Sequence, residues 1–297
     1  MIEIVFLGTS AMVPTKDRNH SCVFMSYGTE GFLFDCGENA QRQIKIAGIK
    51  PTKISRILIT HLHGDHVFGL PGLIQTLGMS GYEGKLHLYG PKGFSKFMRG
   101  LFDTFAIEQK FEIEVHEVHK GVVAQTGEFG IVAEPLDHGV PCVGYAFIEK
   151  DRRRINVPFI KKMKLPDGPL MGKLQSGQEI VYKGQAISPD DATYIVKGKR
   201  IAYVVDTRPC EGALALAKDA DLLISEATFM SGLEEKGDAY FHMTAEQAAS
   251  LASQAGAKRL MLTHFSQRYK DVGDISDDAK RIFENVACAY DFLKVKL

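Results

Sequence analysis

Three histidines and an aspartate fall within the six residues HLHGDH at positions 61–66. The segment directly follows an apolar run, residues 57–60, which predicts a buried strand. A loop at the end of a rigid strand can hold metal ligands in fixed positions. Neutral imidazole and carboxylate groups are ligands of zinc and related cations, and core packing gives no reason for them to crowd together. A polar surface turn is the alternative, and we predict a metal site.

The spacing within this segment predicts a site for two metal ions. Residues two apart in an extended chain point the same way, so His61 and His63 can share one ion. Asp65 and His66 lie beyond Gly64, where the chain can bend sharply and present them to a second ion. In such sites the ions lie roughly 3.5–4 Å apart. The remaining ligands must come from elsewhere in the chain.

Three further residues are candidates because each follows an apolar, strand-like run. They are His138, Asp206 and His264. The Thr–His pair at 263–264 repeats the pair at 60–61, and a carboxylate at 206 could bridge two ions. A single residue of this kind is more often a cap or a turn residue. Three of them in equivalent positions, together with the HLHGDH segment, favour metal ligation.

This pattern resembles the metallo-β-lactamase superfamily. The resemblance implies an α/β fold, the αββα sandwich, and two Zn²⁺ ions per subunit. It assigns His61, His63 and His138 to one ion, Asp65, His66 and His264 to the other, and Asp206 to both. Asp35 matches the family's first motif, a buried carboxylate that orients a ligand; the alternative is a turn residue before Gly37.

The N-terminal loop indicates which family within the superfamily this chain resembles. Lys16, Arg18 and Asn19 offer donors suited to phosphate and base edges. The loop from Pro14 to Asn19 is similar to the PxKxRN loop of the ribonuclease Z family, whose members trim the 3′ ends of tRNA. The resemblance implies that these three residues bind substrate.

Two later segments resemble the HEAT and HST motifs of the same family. This chain has Ser225 where the family has His, and Met243 where it has Ser, but it keeps Glu226 and His242. A histidine paired with a carboxylate can protonate a leaving oxygen, so we predict that His242 and Glu226 are catalytic. The resemblance also implies that Asp65 takes up the proton of the attacking water. The alternative for His242 is a residue at the N-terminal end of a helix.

Residues 150–185 interrupt the pattern with a basic segment. It has nine lysines and arginines against three acidic residues, a net charge of +6 in a chain whose total is zero. Such asymmetry favours contact with a polyanion. The segment resembles the Gly- and Pro-containing exosite arm of the ribonuclease Z family, which implies a protruding arm that binds substrate through Arg152, Arg153, Arg154, Gly168 and Pro169. A solvated loop of no function is the alternative.

Length and composition favour one domain over residues 1–297, with the basic arm inserted at 150–185. The resemblance implies that it is a metallo-β-lactamase domain. The five cysteines are odd in number and lack CxxC spacing, which favours reduced thiols in a cytoplasmic protein. The N-terminus lacks a signal-peptide pattern, and no apolar run approaches the roughly 18 residues of a membrane span.

Hydrophobic periodicity gives a coarse assignment of elements. Strands are predicted at 2–7, 22–27, 31–35, 56–60, 85–89, 131–135, 143–149, 201–205, 222–225 and 259–263. Helices are predicted at 39–47, 69–79, 93–104, 211–218, 244–255 and 276–284.

Together these features predict a zinc-dependent endoribonuclease that cuts the 3′ trailer from precursor tRNA. The products would be a tRNA with a 3′-hydroxyl and a trailer with a 5′-phosphate, and the resemblance implies a homodimer. Two alternatives stay open: a hydrolase of the same fold that acts on small phosphodiesters or a lactone, and a non-catalytic RNA-binding protein with structural zinc.

Overall fold

The computed structural model describes residues 2–297, which alternate between strands and helices. The strands are β1 Ile2–Gly8, β2 Cys22–Tyr27, β3 Glu30–Phe34, β4 Ile54–Leu58, β5 Leu86–Gly90, β6 Ile113–Glu117, β7 Gly121–Gln125, β8 Phe129–Pro135, β9 Val143–Glu149, β10 Arg152–Ile155, β11 Ile180–Tyr182, β12 Gln185–Ile187, β13 Thr193–Val196, β14 Arg200–Val204, β15 Leu222–Glu226, β16 Leu260–Thr263, β17 Val286–Cys288 and β18 Lys294–Lys296. The helices are α1 Ala40–Ile46, α2 Gly64–Val67, α3 Leu70–Met79, α4 Phe94–Thr104, α5 Val157–Met163, α6 Pro169–Gln175, α7 Pro189–Ala192, α8 Glu211–Ala217, α9 Glu234–Tyr240, α10 Ala245–Gln254 and α11 Gly273–Lys280.

Most strands belong to two seven-stranded sheets. The first has the order β18-β1-β2-β3-β4-β5-β6, and the second β17-β16-β15-β14-β9-β8-β7. Strands β3 to β6 pair in parallel in the first sheet, as do β14 to β17 in the second. Parallel strands need covered faces, which explains why β15 and β16 are mostly apolar and fully buried.

The two sheets pack face to face and carry helices on their outer sides. Phe34 of β3 meets Tyr203 of β14 with ring centroids 5.2 Å apart, and Phe32 meets Phe147 of β9 at 5.4 Å. One apolar cluster joins the first sheet to α1, α3 and α4, and another joins the second sheet to α8, α10 and α11. These four layers confirm the predicted αββα sandwich.

The chain divides into two compact units. The first contains residues 1–125, 131–147 and 200–297, and the second contains residues 126–130 and 148–199. The second unit includes the whole of the predicted arm, 150–185, and continues to residue 199. It has its own small core around Ile160, Leu174 and Ile187, so this segment is a folded element with buried apolar side chains.

Every predicted strand and helix overlaps an observed one, but the bounds of the last helix are wrong. Helix α11 runs from Gly273 to Lys280 instead of 276–284. Asp274 lies in its first turn, where a carboxylate interacts favourably with the helix dipole, and the chain must turn after Arg281 to reach β17. The observed elements that the prediction lacks are β6, β7, β10 to β13, β17, β18, α2, α5, α6, α7 and α9. Each has at most seven residues, which is too short for a clear hydrophobic period.

The longest helix described within residues 2–297, α4, has 11 residues. A membrane-spanning helix needs about 20 apolar residues. None of the helices in this part of the chain is therefore long and apolar enough to cross a membrane.

Candidate metal centre and active site

The candidate ligands lie where strands of both sheets end. The HLHGDH segment follows β4 and continues into the one-turn helix α2. Asp35 follows β3, Asp206 lies just beyond β14, and His264 follows β16. Because parallel strands place their carboxyl ends at the same edge of a sheet, residues distant in sequence meet there.

Three of these residues have a backbone conformation that residues other than glycine rarely adopt. Asp35, Asp206 and His264 have φ values of 56°, 53° and 58°. A non-glycine residue in the left-handed region costs on the order of 1–3 kcal/mol and persists only where the surrounding structure enforces it. The fold therefore sets the direction of these three side chains at a local energetic cost.

The first group of candidate ligands contains His61, His63, His138 and Asp206. The His63 Nδ1 atom lies 3.0 Å from His61 Nε2 and 3.2 Å from His138 Nε2. The Asp206 Oδ2 atom lies 3.4 Å from His61 Nε2 and 3.6 Å from His138 Nε2. Ligands around a tetrahedral zinc ion, with bonds of about 2.0–2.1 Å, are about 3.3 Å apart. The four atoms are thus spaced as the ligands of one ion would be.

The second group contains Asp65, His66 and His264, and Asp206 lies beside it as well. The Asp65 Oδ2 atom is 3.3 Å from His66 Nε2 and 3.7 Å from His264 Nε2. Asp206 reaches His66 Nε2 at 3.3 Å and His264 Nε2 at 3.0 Å. Asp206 is therefore the residue common to both groups.

Four buried polar atoms at this centre have no hydrogen-bond partner. They are Asp65 Oδ1, Asp206 Oδ1, His66 Nε2 and His264 Nε2. Buried polar atoms are normally hydrogen-bonded, and leaving one without a partner costs about 1–3 kcal/mol. Unpaired imidazole nitrogens and carboxylate oxygens that converge in one place fit bound cations.

Residues around the two groups fix the orientation of the rings. Asp35 is fully buried and accepts a hydrogen bond from His66 Nδ1 at 2.8 Å, from the Tyr203 hydroxyl at 3.0 Å and from the Thr60 backbone N–H at 2.8 Å. The carbonyl oxygen of Phe241 lies 3.2 Å from His138 Nδ1. Each contact leaves the Nε2 atom of the ring facing the centre, which is the usual arrangement around a metal-ligating histidine.

The electrostatics of the centre suit metal binding. Burial lowers the pKa of His61 and of His138, so both rings are neutral near pH 7. Burial alone would raise the pKa of Asp206 and Asp65, but the neighbouring His66 and His264 hold both pKa values below the usual range. The carboxylates in turn outweigh burial and raise the pKa of His66, so a cation that binds there displaces a proton from that ring. Neutral imidazoles and ionised carboxylates are the forms that bind cations.

His242 and Glu226 form a histidine–carboxylate pair beside the two groups of candidate metal ligands. His242 Nδ1 lies 3.1 Å from both carboxylate oxygens of the buried Glu226. Glu226 is held by the Thr207 N–H at 2.6 Å and the Thr228 hydroxyl at 2.6 Å. Burial acts to lower the pKa of His242, but the Glu226 carboxylate outweighs it and raises the pKa to about 9. The ring therefore carries a proton on Nε2 at neutral pH.

His242 also borders a cavity of about 300 Å³. The cavity lining includes Lys236 and Arg268, and Arg268 lies over the ring of Phe229 at 5.2 Å from its centroid. The His242 ring is 5.1 Å from His138 and 5.6 Å from His264, measured between centroids. A proton donor and two cationic side chains therefore line one cavity, and His242 lies between this cavity and the ligand groups.

The three predicted residues of the N-terminal loop have different surroundings. Lys16 is almost fully exposed. Arg18 Nη2 donates to the carbonyl of Tyr269 at 2.5 Å and of Ser266 at 3.3 Å, and Asn19 Nδ2 donates to the carbonyl of Glu38 at 2.7 Å. Arg18 and Asn19 thus hold the loop in place, whereas the exposed Lys16, which lies 3.9 Å from Asp17, can reach a ligand from solvent.

The predicted residues of the basic segment also differ from one another. Arg153 forms an ion pair with Asp190 at 2.7 Å, and Arg152 lies 3.9 Å from Glu149. Arg154 is exposed opposite Tyr194 of β13. Gly168, with φ 142°, precedes Pro169 at the start of α6. Part of the predicted positive charge is therefore neutralised within the second unit.

Sequence reasoning missed several residues that support the centre. The Tyr203 hydroxyl donates to Asp35, and the Thr228 hydroxyl donates to Glu226. Met12 donates its backbone N–H to Asp65 Oδ2 at 2.9 Å. Asp291 accepts from the Asn19 N–H at 2.8 Å and from the Thr9 hydroxyl at 2.9 Å. No local pattern marks these residues, because their partners are distant in sequence.

Asp291 is expected to make stability depend on pH. Burial raises the pKa of Asp291 to about 6, above its ordinary value of 3.8. The folded state then binds this proton more tightly than the unfolded state, so ionisation as pH rises from about 4 to 6 lowers the free energy of unfolding. Urea titrations measure the free energy of unfolding at pH 4.5 and at pH 7. Its decrease between these two pH values should be smaller for Asp291→Asn than for the unchanged protein. An equal loss would contradict the assignment.

Comparison with known proteins identifies the family. A family model described as "Metallo-beta-lactamase superfamily" matches residues 15–151, and one described as "Beta-lactamase superfamily domain" matches residues 176–265. Ribonuclease Z of Methanothermobacter thermautotrophicus is 41% identical over 298 residues, covering 100% of this chain and 97% of that protein. Ribonuclease Z of Bacillus licheniformis is 40% identical over 301 residues, covering 98% and 97%.

A solved structure agrees with these relatives. The crystal structure of human tRNase Z, short form, superimposes with a TM-score of 0.73 at 28% sequence identity, covering 99% of this chain and 98% of that one. The resemblance inferred from the HLHGDH segment and the later motifs is confirmed. With about 40% identity along its whole length, the chain belongs to the ribonuclease Z family of the metallo-β-lactamase superfamily.

Proposed function

We propose that this chain removes the 3′ trailer from precursor tRNA by using two zinc ions, leaving a 3′-hydroxyl on the tRNA and a 5′-phosphate on the trailer. Membership of the ribonuclease Z family makes it a metal-dependent endoribonuclease. The observation that carries the finer proposal is the pair His242–Glu226, which lies directly beside two groups of metal-type ligands.

The residues at the centre suit two zinc ions. His61, His63 and His138 would hold one ion, Asp65, His66 and His264 the other, and Asp206 would contact both. When bound there, divalent cations stabilise charge on a phosphate and lower the pKa of a water molecule. Asp65 would take up the proton of the attacking water in addition to acting as a ligand.

His242 would act as the general acid. The attacking water forms a new bond to phosphorus while the bond from phosphorus to the ribose O3′ breaks. His242 Nε2 would give its proton to that departing oxygen, and Glu226, which contacts Nδ1, would orient and stabilise the charged ring. Thr207 and Thr228 keep the carboxylate in place by donating hydrogen bonds to it.

Asp35 provides a test of ligand orientation. Replacing Asp35 by Asn removes the ionised acceptor for His66 Nδ1, so His66 loses its fixed orientation. Changes of this kind typically lower metal affinity or activity by about 10–100-fold. Zinc affinity and precursor cleavage should fall together in Asp35→Asn. Unchanged zinc affinity would show that His66 does not depend on Asp35.

The second unit would bind part of the precursor tRNA through its exposed cations. Arg154, Lys161 and Lys162 are exposed, and none of them forms an ion pair with any residue in the described range 2–297. Double-stranded RNA is recognised mainly by shape and phosphate contacts, for which exposed cations are suitable. We include Lys16, Arg152, Arg153, Gly168 and Pro169 in this proposal as further substrate contacts, with Arg18 and Asn19 positioning the N-terminal loop.

Replacing Arg154, Lys161 and Lys162 by Gln should raise the KM for precursor tRNA and leave hydrolysis of a bis-aryl phosphodiester unchanged. Each lost phosphate contact lowers the slope of log affinity against log salt by about 0.7–0.9, so the slope should fall by about 2 to 3. The matched control is the triple change of Lys45, Lys50 and Lys53, which are equally exposed lysines of the first unit. Equal effects in both variants would contradict a specific role of the second unit.

The family also supports a homodimer in the cytoplasm as part of the proposal. All five cysteines are unpaired, as expected in a reducing compartment. Sedimentation of the purified protein would test the oligomeric state.

The decisive experiment is cleavage of a 3′-extended precursor tRNA by purified protein, with and without a chelator, beside a bis-aryl phosphodiester. Release of a discrete trailer that stops with chelator supports the proposal. Hydrolysis of the small diester alone would favour a small-substrate hydrolase. Inactivity towards both, with zinc bound, would favour an RNA-binding role.

A further inference from the structure

A separate cluster of ligand-type side chains lies on the neighbouring strands β5 and β6. His87 of β5 pairs with Glu114 of β6 in the parallel ladder, and Tyr89 pairs with His116. Side chains two residues apart on a strand point to the same face, so His87, Glu114 and His116 face the same side of the sheet. The cluster shares no residue with the centre described above.

The three ligand atoms are spaced as around a single ion. His87 Nδ1 lies 3.1 Å from Glu114 Oε2 and 3.5 Å from His116 Nε2, and His116 Nε2 lies 3.6 Å from Glu114 Oε2. All three separations are close to the roughly 3.3 Å between ligands of a tetrahedral zinc ion with bonds of about 2.0–2.1 Å. The His61, His63 and His138 nitrogens at the main centre have similar separations.

Neighbouring residues prepare this cluster for a cation. Lys85 Nζ lies 2.5 Å from Glu114 Oε1, which fixes the carboxylate with its other oxygen towards the two histidines. The ring of Tyr89 stacks on His116 with centroids 4.8 Å apart and limits its rotation.

We propose that His87, Glu114 and His116 bind a divalent cation of the borderline class, for which Zn²⁺ is the suitable probe. Two imidazoles and one carboxylate are ligands that such cations prefer. The side chains are 25%, 37% and 39% exposed, so an ion can enter from solvent and a fourth position stays open to water. Strand β6 lies at the edge of its sheet, and the ion would join it to β5.

The test counts zinc bound per chain by equilibrium dialysis and elemental analysis. The unchanged protein should bind one equivalent more than the double variant His87→Asn, His116→Asn at the same free zinc concentration. Because the measured quantity is a difference between two proteins, it does not depend on the number of ions at the main centre. Precursor cleavage by the double variant should be retained, which also reports that it is folded.

Two further variants make the result specific. Glu114→Gln preserves the size of the side chain but removes the charged ligand, and it should weaken the additional zinc site at least tenfold. It also tests the proposal if the double variant does not fold. His119→Asn removes an exposed histidine outside the cluster and should bind as much zinc as the unchanged protein. Equal zinc content in the unchanged protein, the double variant and Glu114→Gln would overturn the proposal.

Discussion

Replacing Asp206 by Asn is expected to lower the rate of precursor tRNA cleavage by about 10³-fold or more. The Asp206 carboxylate lies within 3.0–3.6 Å of ring nitrogens of His61, His66, His138 and His264, so it lies beside both ligand groups. Metal ions at such centres contribute several kcal/mol of charge stabilisation, and each 1.4 kcal/mol or so is about a factor of ten in rate. An amide provides a weaker ligand and removes one negative charge from the centre.

The measurement combines single-turnover cleavage with zinc content. Both should fall in Asp206→Asn, and added zinc should restore little of the rate. The matched control is Asp221→Asn. This carboxylate is also buried, but it lies just before β15 and accepts from the Arg200 N–H and from Lys258 Nζ, each at 2.9 Å. That variant should cleave normally apart from any loss of stability. Full zinc content and full activity in Asp206→Asn would refute its assignment as a shared ligand.

Replacing His242 by Ala should slow precursor cleavage by about 10²–10⁴-fold, the usual contribution of a general acid. Zinc content and precursor affinity should change little, because His242 belongs to neither group of proposed ligands and Glu226 remains held by Thr207 and Thr228. The variant should therefore have a lower kcat and a nearly unchanged KM. Glu226→Gln should give a smaller loss of the same kind, since the ring would remain but would lose its charged partner.

The choice of substrate separates proton donation from a structural role of His242. A nitrophenolate leaving group departs without a proton, so bis(p-nitrophenyl) phosphate should be hydrolysed almost as fast by His242→Ala as by the unchanged protein. A ribose O3′ leaving group needs the proton, so in His242→Ala only the rate of precursor cleavage should fall strongly. His119→Ala provides a control at an exposed histidine. An equal slowing of both substrates would show that His242 acts through the architecture of the site instead.

The fold follows from the sequence to a large extent. Apolar runs such as those of β15 and β16 indicate buried strands, and polar residues at their ends mark the functional edge of the sheets. The resemblance of the HLHGDH segment then identified the superfamily, which the two seven-stranded sheets confirm. Elements of three or four residues, such as β11 and β12, escaped prediction because their stability comes from pairing with a neighbour and not from their own pattern.

The residue types of the candidate site are a property of the sequence, because imidazole and carboxylate side chains bind metals through their own chemistry. Their arrangement depends on the tertiary structure. Left-handed backbone at Asp35, Asp206 and His264, which the packed sheets enforce, directs residues from three strands to one place. The same packing turns Arg18 inward to bind backbone carbonyls and brings His87 beside Glu114 and His116. These contacts join residues far apart in the chain, so local sequence carries no signal for them.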